Sequence, residues 1–178
     1  VLAGGHARHD REAHVTAPEL RGLTLVQPWA TLIAFGVKKI ETRSWLPGGE
    51  RRHGRFEFLV HAGARVDRDA CADPRVAFEL AARGITSPDQ LPTSAVLAVA
   101  HCYRAAKHPG ELGERTLAEQ EPFGVFGEGR CYWFLSTVTA DDRLPEPIPC
   151  KGRLGLWRPA PELLDQVRRQ LGRSVWVR

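Results

Sequence analysis

Four side chains between positions 38 and 45 combine two positive charges, a carboxylate and an indole ring: Lys38, Glu41, Arg43 and Trp45. A guanidinium can hold a phosphate with two parallel hydrogen bonds, an ammonium offers a mobile point charge, and an indole can stack on an unpaired base. Glu41 could accept a hydrogen bond from a base amino group, or it could neutralise Lys38 or Arg43 in an ion pair that braces the site. Together, these residue types predict a surface that binds a polyanion.

A strand and a short helix precede this segment. The apolar pattern predicts a strand that ends at Gln27 and a helix that begins at Pro28, because proline suits a first helical position whose N–H has no helical partner. Trp29 lies in the first turn of this helix, and Gly36 suits its left-handed end. The helix therefore leads directly into the charged segment.

The charged segment itself is predicted to be a second strand over 38–45. Side chains alternate between the two faces of a strand, so Glu41, Arg43 and Trp45 share one face and Lys38 lies on the other. A strand face that carries a carboxylate, a guanidinium and an indole is unsuited to an ordinary core. This face is the predicted binding surface.

The residues around this segment resemble a known family. The run L-x-L-V-Q-P-W-A-x-L-I at 23–33, followed by G-x-K-x-x-E-x-R-x-W at 36–45, resembles the signature of the ASCH domain, a member of the PUA-like superfamily of small β-barrels. The strand L-V-H-A-G at 59–63 and the closing segment P-E-P-I-P-C-K-G-R-L-G-L-W at 145–157 are similar to later parts of the same pattern. The resemblance implies an α+β fold, a PUA-like small β-barrel with flanking helices.

The same resemblance implies that the loop after the first helix and the closing segment border one cleft. The residues that it places at a nucleic-acid-binding site are Gln27, Trp29, Lys38, Glu41, Arg43, Trp45, His61, Lys151 and Arg153. His61 has an alternative interpretation, since a histidine in an apolar strand is more often a hydrogen-bonded core residue. The expected ligand is single-stranded nucleic acid, RNA in preference to DNA, or a nucleotide.

The charge distribution agrees with a cleft between these two segments. The net charge is +4, but residues 37–65 carry seven basic and three acidic side chains and residues 150–178 carry seven and two, whereas residues 66–149 carry eight and thirteen. If the fold joins the two basic segments, they form a positive surface that can collect a polyanion. The alternative interpretation is a solvated basic face.

A hydrolase that acts on modified (acylated) nucleosides or on RNA is the alternative function. Hydrolases of the family that remove the acyl group from acylated cytidine use a lysine, a threonine three residues later and a glutamate on a later strand. Lys38 matches the lysine, but Glu41 stands at the threonine position and the predicted strand 95–103 has no acidic residue. If the protein is an enzyme, Lys38 and Glu41 would be its acid and base, with help from His61. A third hypothesis is a protein-interaction domain that uses its aromatic surface.

The pattern of the whole chain predicts one domain over 20–178 and a flexible arm or expression remnant over 1–19. The predicted strands are 22–27, 38–45, 56–62, 95–103, 131–138 and 144–149, and the main helices begin at 74 and span 161–171. Residues 107–130 are predicted to be an irregular acidic insertion with one helix over 111–121.

No apolar run is long enough to span a membrane, and the expected location is cytoplasmic. The four cysteines are scattered, so neither a metal site nor a cofactor is expected.

Overall fold

The computed structural model describes residues 20–48, 55–107 and 114–172, so the predicted arm over 1–19 and the first three residues of the predicted helix over 111–121 lie outside the described residues. Seven strands and five α-helices are present in these ranges. Their bounds are β1 Arg21–Gln27, α1 Trp29–Ala34, β2 Ile40–Arg43, β3 Phe56–Val66, α2 Arg68–Ala72, α3 Pro74–Ala81, β4 Ala95–Ala106, α4 Glu114–Gln120, β5 Cys131–Leu135, β6 Arg143–Pro149, β7 Leu156–Trp157 and α5 Pro161–Leu171. Short 3-10 turns cover Pro88–Gln90 and Glu121–Phe123.

All seven strands belong to one mixed sheet. Six of them follow the order β2-β5-β4-β3-β1-β7, and β6 lies off this path and pairs with β4. β1 runs parallel to β3 and antiparallel to β7, and the remaining pairs are antiparallel. β4 divides its outer edge between two partners, because its first residues pair with β6 and its last residues pair with β5. The sheet is mixed and curls into a half-barrel with flanking helices, so the predicted α+β class is confirmed.

Both faces of the sheet are covered by apolar side chains. Phe56, Phe58 and Val60 alternate along β3 and pack around the fully buried Trp133 on one face. Leu59, between them in the sequence, points to the other face, where α5 covers the sheet. The alternation that predicted β3 therefore describes a strand buried on both sides.

The second strand differs from its prediction. β2 covers only Ile40–Arg43, so Lys38 lies before the strand and the alternation of side chains does not apply to it. The cause is the end of α1, where Gly36 adopts a left-handed φ of 71° and the backbone N–H groups of Val37 and Lys38 both bond to the Leu32 carbonyl. This turn directs the Lys38 side chain inward, on the same side as Glu41.

No helix among the described residues is long and apolar enough to cross a membrane. Within the same ranges, no group of three or more His, Cys, Asp or Glu side chains could hold a metal ion.

Candidate functional site

Lys38 is buried and fully hydrogen-bonded just before β2. Its side chain is 1% exposed, and Nζ lies 2.6 Å from the Ile40 carbonyl oxygen, 2.5 Å from the Phe123 carbonyl oxygen and 3.4 Å from Glu41 Oε2. Three acceptors match the three N–H groups of an ammonium. Burial lowers the pKa of Lys38, while the Glu41 carboxylate opposes that shift.

Glu41 joins Lys38 to Arg43. The carboxylate is buried, and its Oε1 lies 2.9 Å from Arg43 Nε, a charge contact without hydrogen-bond geometry. Arg43 is 24% exposed in its side chain, and its Nη2 donates a hydrogen bond of 3.0 Å to the Thr24 carbonyl oxygen. We call Lys38, Glu41 and Arg43 the ion-pair cluster. The ion pair that the sequence suggested as a brace is present in the structure.

The ion-pair cluster is covered by a segment far away in the sequence. The 3-10 turn that ends at Phe123 places Gly124 so close that a Cβ there would lie 2.8 Å from Lys38 Nζ and 3.7 Å from Thr42 Oγ1. The Trp29 ring lies on another side of the ion-pair cluster, with its centroid 5.6 Å from Lys38 Nζ. Lys38 therefore does not reach solvent, and the expected contact between Lys38 and a phosphate is not available in this conformation.

Gln120 holds this covering segment in place, and sequence reasoning missed it. Its side-chain oxygen accepts from the Lys39 backbone N–H at 2.7 Å, and its Nε2 donates to the Val37 carbonyl at 3.1 Å. Both bonds tie the end of α4 to the backbone on either side of Lys38. The sequence places Gln120 at the end of a predicted helix, but its burial and its backbone partners depend on the fold and could not be predicted from the pattern.

Two other predicted site residues have structural roles. Gln27 is fully buried, its Nε2 donates to the Pro92 carbonyl at 2.5 Å, and its Oε1 accepts from the Thr31 backbone N–H at 3.1 Å. Trp45 packs edge-on against Trp133 at a ring-centroid distance of 5.0 Å. The Gln27 amide is therefore used inside the protein, and the Trp45 ring is half-buried against the core.

The closing segment meets β1 and β3 at His61. The imidazole is 1% exposed, its Nε2 lies 3.1 Å from the Cys150 carbonyl oxygen, and the Trp157 ring packs edge-on at 5.7 Å. A carbonyl only accepts, so Nε2 carries the proton and Nδ1 is the acceptor nitrogen. Nδ1 has no hydrogen-bond partner among the described residues and faces Gly152, where a Cβ would lie 2.6 Å from it.

Thr24 on β1 connects the two motif segments. Its carbonyl oxygen accepts from Arg43, while its Oγ1 accepts from Trp157 Nε1 at 3.1 Å and lies 2.5 Å from the position of a Cβ on Gly152. The neighbours of Gly152 in the chain, Lys151 and Arg153, are both exposed. The fold therefore brings the Arg43 guanidinium and the closing segment to the same residue of β1.

We expect the stability of the protein to fall as the pH drops below about 6.5, the ordinary histidine pKa. Burial lowers the pKa of His61 in the folded state, with the hydrogen bond to Cys150 opposing the shift. Between that lowered pKa and the unfolded value, the unfolded chain binds a proton that the folded protein excludes, so the unfolding free energy decreases by at most about 1.4 kcal/mol per pH unit. Urea unfolding at several pH values measures the slope. His61→Gln, which keeps an N–H donor but does not titrate, should flatten it, and an unchanged slope in that variant would contradict the assignment.

The chain matches no known family model and no curated protein. Among solved structures, it is similar to the crystal structure of a point mutant of ZmASCH from Zymomonas mobilis, with 14% sequence identity, coverage of 90% of this chain and 91% of that chain, and a TM-score of 0.36. No residue role is transferred from that protein.

Proposed function

We propose that this protein binds single-stranded nucleic acid, preferably RNA, or a nucleotide, on the surface beside Thr24 where the closing segment meets Arg43. The observation that supports the proposal is the double contact of Thr24, whose carbonyl oxygen accepts from Arg43 and whose hydroxyl packs beside Gly152. Arg43 and the backbone of the closing segment thereby reach the same residue of β1, and positive charge contributed by both segments there would attract a polyanion.

The exposed cations of this surface carry the proposed phosphate contacts. Lys151 and Arg153 are exposed on either side of Gly152, and the side chain of Arg43 is 24% exposed. Lys38 and Glu41 act indirectly in this proposal, because they fix Arg43 and the backbone of β2 instead of touching the ligand. The proposed site thus combines an Arg43 guanidinium fixed by Glu41 and Thr24 with two exposed cations of the closing segment.

The sequence motifs indicate which polyanion is the expected ligand. The segments 23–33, 36–45 and 145–157 resemble the ASCH pattern, whose domains have been proposed to bind RNA. Trp29 and Trp45 are both half-buried, so base stacking would use the ring surface that remains exposed.

A hydrolase is the less favoured function. A general base needs a lone pair, and all three N–H groups of a protonated Lys38 are directed at the Ile40 carbonyl, the Phe123 carbonyl and Glu41. The lowered pKa of Lys38 and the nearby Thr42 hydroxyl are the features that favour catalysis. Turnover of an acylated cytidine by the unmodified protein, lost in Lys38→Met, would establish the hydrolase instead of the binding module.

The double variant Lys151→Gln/Arg153→Gln tests the binding proposal. We expect it to weaken binding of a single-stranded RNA and to make the dependence of log affinity on log salt less steep by about 1.4, since each phosphate contact on a single strand contributes about 0.7 to that slope. Fluorescence anisotropy with a labelled oligonucleotide at several salt concentrations measures both quantities.

Arg75→Gln/Arg169→Gln is the matched control, because it removes the same charge from exposed positions on α3 and α5. If the proposal is correct, this control changes the slope far less. Equal effects of the two double variants would show that binding follows net charge alone, and no RNA binding by the unmodified protein at low salt would reject the proposal.

A further inference from the structure

A cavity lies between α1, β4 and β6, and none of the residues of the ion-pair cluster lines it. It has a volume of about 260 Å³, and its walls include Thr31 and Phe35 at α1, Leu97 on β4, and Arg143 on β6. Arg83, Ile85 and several proline rings complete the lining, which is apolar apart from Thr31 and the two arginines. The volume is suitable for a small organic molecule with a few polar groups.

Arg143 gives the cavity a positive charge that nothing in the described part of the chain neutralises. Its guanidinium carbon lies 4.4 Å from the centroid of the Phe35 ring, and none of the described residues forms an ion pair with it. A guanidinium stacked on an aromatic ring keeps its N–H edges free for a planar acceptor. Arg143 is therefore held in position without being used.

Arg83 approaches the same ring from another direction but is already paired. Its guanidinium carbon lies 5.5 Å from the Phe35 centroid, and its Nη1 lies 2.7 Å from Glu79 Oε2 and 2.6 Å from the Glu79 carbonyl oxygen. The two arginines and one glutamate leave a single net positive charge at Phe35. A ligand with one negative charge matches it better than a doubly charged phosphate does.

Thr31 supplies an independent indication of a ligand. The residue is 1% exposed, it lines the cavity, and its Oγ1 has no hydrogen-bond partner in the described structure. A buried hydroxyl without a partner is costly and uncommon. Since the hydroxyl can donate or accept, a polar group of a bound ligand would satisfy it.

We propose that this cavity binds a small organic monocarboxylate, with its carboxylate on Arg143 and Thr31 and its apolar body against Leu97, Ile85 and the proline rings. The guanidinium holds the carboxylate with two parallel hydrogen bonds, and the hydroxyl of Thr31 donates to one of its oxygens. The apolar wall contributes affinity that an inorganic anion cannot gain. This site is separate from the proposed nucleic-acid surface and does not depend on it.

Titration of the full chain with benzoate, followed by ¹H–¹⁵N NMR, tests the proposal. We expect saturable shifts concentrated at the amides of Thr31, Phe35 and Leu97. Benzamide has the same shape without the charge and should bind at least about tenfold more weakly. Arg143→Gln should weaken benzoate binding by a similar factor. Thr31→Val, which keeps the side-chain volume and removes the hydroxyl, should weaken it by a smaller factor.

Two controls make the outcome decisive. Arg75→Gln removes an exposed arginine from α3 and should leave benzoate binding unchanged, and a well-dispersed spectrum of Arg143→Gln shows that this variant is folded. Inorganic phosphate should bind more weakly than benzoate. The proposal is overturned if phosphate binds as tightly, if Arg143→Gln retains binding, or if the shifts appear away from α1 and β4.

Discussion

Replacing Lys38 with methionine should lower the free energy of unfolding by roughly 3–5 kcal/mol, the typical result of removing one partner of a buried ion pair. Glu41 would keep its charge at 6% exposure with only the Arg43 contact remaining. The Ile40 and Phe123 carbonyl oxygens would each lose a donor as well. Urea unfolding followed by circular dichroism measures the loss, which should be the largest of any single charge removal in the described structure.

Lys39→Met is the matched control for this prediction, because the neighbouring side chain is exposed and the change in composition is the same. We expect its effect on the unfolding free energy to be within about 0.5 kcal/mol. Lys38→Met/Glu41→Met should be less destabilised than Lys38→Met alone, since the second change removes the uncompensated carboxylate. A loss in Lys38→Met no larger than that in Lys39→Met would show that the ion-pair cluster does not hold the fold together.

Local sequence signals predicted most of the fold. α5 covers Pro161–Leu171 as its apolar spacing indicated, and Gly172 ends it with a left-handed φ of 61°. α3 begins after Asp73, whose carboxylate accepts from the Arg75 backbone N–H at 2.9 Å. Both elements depend on caps and on periodicity, which are local properties of the chain.

One helix was missed although its signal was available. α2 spans Arg68–Ala72, and the side chain of Asp67 caps it by accepting from the Ala70 N–H at 3.0 Å. A five-residue helix has too few apolar positions to show a period, so only the cap indicated it. Short elements of this kind are determined by contacts with the rest of the protein.

The chemistry of the candidate site was less predictable than its residues. The charged segment drew attention to Lys38, Glu41 and Arg43, but the acceptor that buries Lys38 comes from Phe123, 85 positions away. That acceptor lies in the stretch predicted to be an irregular insertion. Burial therefore changes Lys38 from an expected phosphate contact into a structural brace, and a single sequence contains no signal for this change.

The meeting of the two motif segments has a simple topological reason. β1 lies between β3 and β7 in the sheet, so the residues after β6 must return to β1 beside the residue that Arg43 contacts. Thr24 pairs with His61 in the register of β1 and β3, which places the imidazole under the closing segment. Strand order brings the two segments together. The family resemblance implied their meeting, whereas the local pattern did not.

Gly152→Ala should weaken binding of single-stranded RNA by at least about tenfold, a change equivalent to roughly 1.4 kcal/mol. The new Cβ would lie 2.5 Å from Thr24 Oγ1 and 2.6 Å from His61 Nδ1. Thr24 and His61 pair in the register of β1 and β3, and the imidazole is 1% exposed, so neither side chain can yield easily and the closing segment has to move instead. Lys151 and Arg153 move with it and leave the surface beside Arg43, at a stability cost of roughly 1–3 kcal/mol.

Gly48→Ala is the control for this variant, because its Cβ would meet no atom of the described residues within 4 Å and it should leave binding unchanged. His61→Ala introduced into Gly152→Ala removes the ring that the new methyl group meets, so the double variant should bind RNA more tightly than Gly152→Ala does. Fluorescence anisotropy of folded protein, with the folded fraction set by circular dichroism, separates the binding effect from the loss of stability. Unchanged binding in Gly152→Ala would mean that the closing segment takes no part in the interface, because a displacement forced on both of its cations cannot leave a contact with them intact.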